Sequence, residues 1–197
     1  MQSICAVLEE WVIQDGNYPI LRKSDKVNLS FYIEIYEFEA KTREEKYLFE
    51  RIKYAEYNFS GKVIYKKRDL IVVDTNQFKF YIELDEKAKA SVGDFVKGRG
   101  RLTIDYFVWV ENLPKYKDPP NILYNLIVEK IYVIKIPKTH ITRSENTIGF
   151  SAALSAEEFN QNDMQEADQT RSAYEFAFYL LDLAPIDENI ETTFCYL

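Results

Sequence analysis

A chain of 197 residues with 47% hydrophobic side chains and charges of both signs can bury a core as one large β domain or two small ones, which excludes a disordered polypeptide. Its net charge of −7 argues against non-specific nucleic-acid binding, which draws on clustered Lys and Arg. The 15 Tyr and 13 Phe favour strands, and with six Gly and six Pro the turns fall largely to Asn, Asp, Ser and Lys.

The first apolar run ends at Leu8 with no basic residue ahead of it, too short for a signal peptide, and no stretch reaches the length of a membrane span. The expectation is a cytoplasmic protein with no membrane contact. Cys5 and Cys195 then read as reduced thiols rather than a disulfide. Asn28-Leu29-Ser30 and Asn58-Phe59-Ser60 read as chance matches to the glycosylation pattern.

In chain order, residues 4–13 read as a strand, followed by a turn at Asp15-Gly16-Asn17. Residues 18–21 begin a return that Pro19 confines to an edge or an irregular stretch. Residues 27–39 alternate clearly: Val27, Leu29, Phe31, Ile33 and Ile35 face one way, Asn28, Ser30, Tyr32, Glu34 and Tyr36 the other. Residues 42–56 are ambiguous. Thr42 with Glu45 fits a capping box, and Leu48, Phe49, Ile52 and Ala55 fall at helical spacing, but Ile52, Tyr54 and Glu56 also extend the next strand backwards. A helix over 42–54 is the favoured reading. Strands follow at 59–66, 70–74 and 77–84, with turns at Lys67-Arg68-Asp69 and Asn76. Residues 85–92 form a short link, and 95–111 a long strand bent at Gly98 and Gly100. A loop with Pro114, Pro119 and Pro120 leads to a last strand at 123–136. Beyond Pro137 the chain turns polar, with a helix near 155–159. Residues 172–183 fit a helix or a strand equally well, and 192–197 a short final strand.

Three strands, a link and two more strands over 59–136 is the order of a five-stranded OB-type barrel. Within it, Val92-Gly93-Asp94-Phe95-Val96-Lys97-Gly98-Arg99-Gly100-Arg101-Leu102 resembles the lead into strand four of many OB-fold proteins. The resemblance covers under half the chain. It implies a binding surface on the outer face of strands two and three, with the loops joining strands 1–2 and 4–5. The expected architecture is mainly β: an OB-like five-stranded barrel at 59–137, extended by N-terminal strands and a helix within 1–58. Residues 138–197 add a polar acidic segment and a C-terminal apolar element packed back, as separate domains or one continuous one. Ser24-Asp25-Lys26-Val27-Asn28-Leu29 echoes Gly93-Asp94-Phe95-Val96-Lys97-Gly98, each a turn into a long strand, so two related barrels stand as an alternative to one.

Catalysis finds little support. The single histidine, His140, sits in a polar stretch and reads as a surface residue. No Gly-x-Ser-x-Gly elbow, phosphate-binding glycine loop or dinucleotide fingerprint occurs, and one His with two distant Cys leaves zinc or iron short of ligands. Asp182, Asp187, Glu188 and Glu191 read as a solvated face. No enzyme activity, cofactor or metal is expected.

Two basic loops carry the binding candidates: Lys66, Lys67 and Arg68, and Lys115, Tyr116 and Lys117. Period-two alternation adds Arg99, Arg101, Phe107 and Trp109 on one side of the fourth strand. Cations interleaved with aromatics suit single-stranded nucleic acid, yet residues 138–197 hold 3 basic and 11 acidic side chains that repel a polyanion, and burial is the favoured reading of the aromatics. The preferred expectation is therefore a non-catalytic binding protein for a protein partner, of adaptor, inhibitor or neutralising type. The acidic segment 157–168 and Tyr32, Tyr36, Tyr54 and Tyr57 are the expected contact groups. Single-stranded nucleic-acid binding is the alternative.

Overall fold

The computed structural model describes residues 3–14, 18–84, 89–105, 107–135, 164–170 and 177–186. It is mainly β, with a closed five-stranded barrel, extra strands and short helices. The strands are β1 (Ile4–Glu9), β2 (Lys26–Leu29), β3 (Phe31–Ala40), β4 (Leu48–Lys53), β5 (Glu56–Lys67), β6 (Leu70–Asp74), β7 (Lys79–Glu83), β8 (Phe95–Ile104), β9 (Tyr124–Lys135), β10 (Met164–Ala167) and β11 (Ala177–Pro185). Two short helices, α1 (Glu10–Gln14) and α2 (Val108–Asn112), and a 3-10 turn at Leu113–Lys115 are the helical elements among the described residues. Among the described residues no helix is long and apolar enough to cross a membrane.

Three expected elements are corrected. Residues 42–54 do not form a helix. Thr42 accepts a bond from the Glu44 backbone N–H, and the chain then extends into β4, which hairpins onto β5 through a turn with Tyr54 at φ 50°. Phe49 decides this: its ring stacks on Tyr57 at 4.4 Å and on Phe78 at 5.0 Å, a cross-strand packing that outweighs the weak helical spacing. The first strand stops at Glu9, where α1 coils to bury Val12 and Ile13. The long strand stops at Ile104 rather than 111. The open choice at 172–183 resolves as strand over 177–185, with β11 antiparallel to both β1 and β9. The turn at 15–17, the helix near 155–159 and the strand at 192–197 lie outside the described residues.

The barrel closes through β5–β6–β7–β3–β8 and back to β5. Four of its strands are those anticipated, but the fifth is β3, not the late strand β9. β3 runs parallel beside β7 at Tyr32↔Tyr81 and antiparallel along β8 from Phe31↔Ile104 to Ala40↔Val96. It takes the place between strands three and four that an OB order gives its fifth strand, although it comes before them in the chain. Inward residues such as Ile33, Tyr57, Phe59, Ile71, Phe80 and Val96 fill the interior and are almost fully buried.

β9 belongs to a second circuit. It pairs with β2 and β11, β11 pairs with β1, and β1 lies parallel to the end of β8 at Val7↔Thr103. β2 runs on through Ser30 into β3, so the β3–β8 pair belongs to both circuits. The internal echo in the sequence marks equivalent turns of the two. Asp25 accepts from the Arg22 N–H at 2.7 Å, and Asp94 from the Ser91 N–H at 2.8 Å. Ser24 (φ 74°) donates its N–H to the Val128 carbonyl, and Gly93 (φ 96°) to that of Val63. The Val128 and Val63 N–H groups return bonds to the carbonyls of Asp25 and Asp94.

Close approach explains the glycines of β8. A Cβ on Gly98 would lie 2.4 Å from the Glu37 carbonyl oxygen and 2.7 Å from the Phe59 ring; one on Gly100 would lie 2.4 Å from the Glu34 carbonyl oxygen. Gly100→Ala is expected to cost about 1–3 kcal/mol through forced separation of β3 from β8. A urea-unfolding midpoint equal to that of the parent chain would show that the shared ladder has slack.

Candidate binding surface

The expected strip on the fourth strand separates into two unrelated places. Arg99 and Arg101 do share the outer face of β8, but both meet carboxylates supplied by neighbouring strands. Arg99 bonds to Glu56 on β5 and lies 3.9 Å from Glu37 on β3. Arg101 bonds to Glu34 on β3, sits 4.0 Å from Glu9 on β1, and holds its guanidinium 5.3 Å above the Phe178 ring of β11. Its side chain is 7% exposed; Nη2 meets both carboxylates, while Nε and Nη1 are buried with no hydrogen-bond partner among the described residues. These arginines join strands: Arg101 is nearly enclosed, while Arg99, though paired, keeps about 40% of its side chain exposed.

Phe107 and Trp109 are not on the strand. β8 ends at Ile104, and the carboxylate of the next residue, Asp105, gathers four donors: the Tyr81 hydroxyl at 2.8 Å, the Ser30 hydroxyl at 3.0 Å, and the backbone N–H groups of Trp109 and Phe107 at 3.2 and 3.3 Å. Those bonds turn the chain into α2 and carry Trp109 back over the barrel. The indole is fully buried against Leu70, Val72, Tyr81 and Ile122, close to parallel with the Tyr81 ring at 17° and 6.2 Å. Leu70 and Val72 on β6 and Tyr81 on β7 are the outward residues of strands two and three. The face that OB-type barrels customarily offer to a ligand is therefore filled by the protein's own tryptophan.

The two basic loops do come together. Tyr65 at the end of β5 and Tyr116 after the 3-10 turn place their ring centroids 6.1 Å apart, and both rest on Trp109, at 6.1 and 5.3 Å. Lys66, Lys67, Arg68, Lys115 and Lys117 around them are exposed. Lys66 donates to the Ala90 carbonyl and Lys115 to the Asn112 amide oxygen. Burial and the neighbouring Tyr65 raise the Tyr116 phenol above its ordinary pKa.

The tyrosines expected as exposed anchors divide as well. Tyr57 is buried, its hydroxyl donating to the Cys5 carbonyl and accepting from the Cys5 N–H. Tyr32 stacks on Tyr81 at 5.6 Å, while Tyr36 and Tyr54 are half-buried. Cys5 itself is a buried free thiol, its pKa pushed up by burial. His140 and Cys195 lie outside the described residues. Asp182 faces Arg51 at 3.6 Å, and no group of metal-ligating side chains occurs among the described residues.

Sequence reasoning missed an open groove of about 450 Å³ over the β3–β8–β5 face, walled by Thr42, Glu44, Lys46 and Leu48. Its Glu37, Glu39, Lys97 and Arg99 largely neutralise one another, with Lys97 and Glu39 at 3.0 Å. Its lining comes from distant segments that meet only after folding, so no local pattern announces it. Compared with protein-family models, curated proteins and solved structures, the chain finds no match.

Asp105→Ala is expected to cost about 2–4 kcal/mol, because the buried donors it serves lose their acceptor. In a Trp11→Phe background the remaining indole emission should shift to the red as Trp109 loosens, and an unmoved spectrum would refute the hub role. Burial raises the phenols of Tyr18, Tyr57 and Tyr81, and pushes Tyr124 up to about 12. Each group is harder to ionise folded than unfolded, so its contribution is complete below the unfolded value near 10 and is lost as pH rises toward the folded value. Stability should fall above about pH 10, by up to ~1.4 kcal/mol per pH unit for each such tyrosine. Phenolate absorbance should then rise together with loss of the circular-dichroism signal; full ionisation of the folded protein would contradict the burial.

Proposed function

We propose that this chain is a non-catalytic binding protein whose ligand is another protein, of the adaptor, inhibitor or neutralising type, working in the cytoplasm. The observation that carries this reading is the seating of Trp109 on Tyr81, which occupies the face an OB-type barrel would use for bases. The ion pairs of Arg99 and Arg101 support it further, since each guanidinium is already matched to a carboxylate and Arg101 is nearly enclosed. A buried, protonated Cys5 thiol suits a reducing compartment.

Single-stranded nucleic acid remains the second reading for one reason: the exposed loop cations and the half-buried Tyr65 and Tyr116 lie side by side. Affinity capture of the intact chain from its source cell, with nuclease treatment before elution, separates the two. The protein reading expects one stoichiometric protein that survives nuclease. Recovery of nucleic acid alone, or of no stoichiometric protein, would count against it.

A further inference from the structure

We propose that the paired loops at the end of the barrel, Tyr65 with Lys67 and Arg68 and Tyr116 with Lys115 and Lys117, dock an acidic extended segment of a protein partner. This rests on the protein-binding reading above and gives the partner a chemistry.

The two loops are some fifty residues apart in the chain, and the aromatic contacts hold them side by side. Trp109 fixes both tyrosines from beneath, so the surface is organised before any ligand arrives, and less ordering entropy is lost on binding. Lys67, Arg68, Lys115 and Lys117 make no ion pair among the described residues, in contrast to Lys97, Arg99 and Arg101 on the barrel wall. Free cations of this kind attract carboxylates and speed encounter, a local exception in a chain of net charge −7. Tyr65 and Tyr116 add partly exposed rings of the kind favoured at interface centres.

The extent of the patch favours a peptide over a polynucleotide. Asp69 and Asp118 adjoin the two loops in sequence, Glu111 precedes the second, and the charge of Glu83 reaches Tyr116. A phosphate backbone running past the loops would meet these carboxylates, whereas a protein segment can end its acidic run between them. Trp109, the best stacking platform nearby, has no exposed face.

The test uses the full chain, a fluorescein-labelled peptide alternating Glu with Tyr, and a labelled single-stranded oligonucleotide, each followed by anisotropy at low and at physiological salt. The peptide should bind, weaken with salt, and lose at least about tenfold in affinity in the variant K67E/R68E/K115E/K117E. Tyr116→Ala should weaken it as well, while Lys97→Glu on the barrel wall should leave it unchanged. Thermal melts confirm that each variant is folded, which the exposure of the four cations favours. Peptide binding that ignores the four reversals, or its absence at low salt, overturns the proposal. So does tighter binding of the oligonucleotide, abolished by the same reversals. A captured protein partner that still binds the reversal variant would sink this surface and leave the protein-binding reading standing.

Discussion

The ladder between β3 and β8 is the constraint on which the rest of this protein depends. It is antiparallel from Phe31↔Ile104 to Ala40↔Val96, and both strand circuits include it. Within the five-stranded barrel, β8 approaches β3 so closely at two positions that only glycine fits, Gly98 and Gly100. Side chains there would overlap the carbonyls of Glu37 and Glu34. On the outer face the same ladder is tied by charge: Lys97 to Glu39, Arg99 to Glu37, and Arg101 to Glu34. The exposed pairs among these contribute little individually. The Arg101 pair is different, because its guanidinium is nearly enclosed and removing a partner would strand a buried charge.

The ladder also decides what the surface can offer. β8 is paired on both edges, by β3 on one and by β5 and then β1 on the other, and its last residue is followed by Asp105. Its four hydrogen bonds turn the chain outward and return Trp109 to the flank of β6 and β7. Full burial of an aromatic side chain is worth about 2–3 kcal/mol, so this cap is part of the fold rather than a loose cover. The cap closes the customary ligand face and at the same time supplies the floor on which Tyr65 and Tyr116 hold the basic loops together.

Much of this was legible along the chain. The alternation of 27–39 anticipated the buried faces of β2 and β3, and the turns at Arg68 and Asn76 anticipated the hairpins, both residues taking positive φ. The repeat of Ser24-Asp25 and Gly93-Asp94 was visible as a faint echo, and the same hydrogen-bond pattern at both turns is its structural content. Residues 42–54 misled because Leu48, Phe49, Ile52 and Ala55 fit a helix on paper. The stacking of Phe49 on Tyr57 depends on a strand partner that local spacing does not reveal. Trp109 misled for the converse reason: alternation continued past Ile104 in sequence, while the carboxylate of Asp105 had already ended the strand.

Read along the chain alone, the residues give a mainly β protein, four of the five strands of the barrel wall, the positions of its two basic loops and the glycines of β8. Alternation, turn chemistry and close-approach residues are local properties, so they survive reading one residue after another. The closing of the barrel by β3, the pairing of Arg99 and Arg101 with carboxylates, the burial of Trp109 and the meeting of the loops emerge only on folding. Each of those outcomes joins groups tens of residues apart, and the side chain's own identity does not say which partner reaches it first.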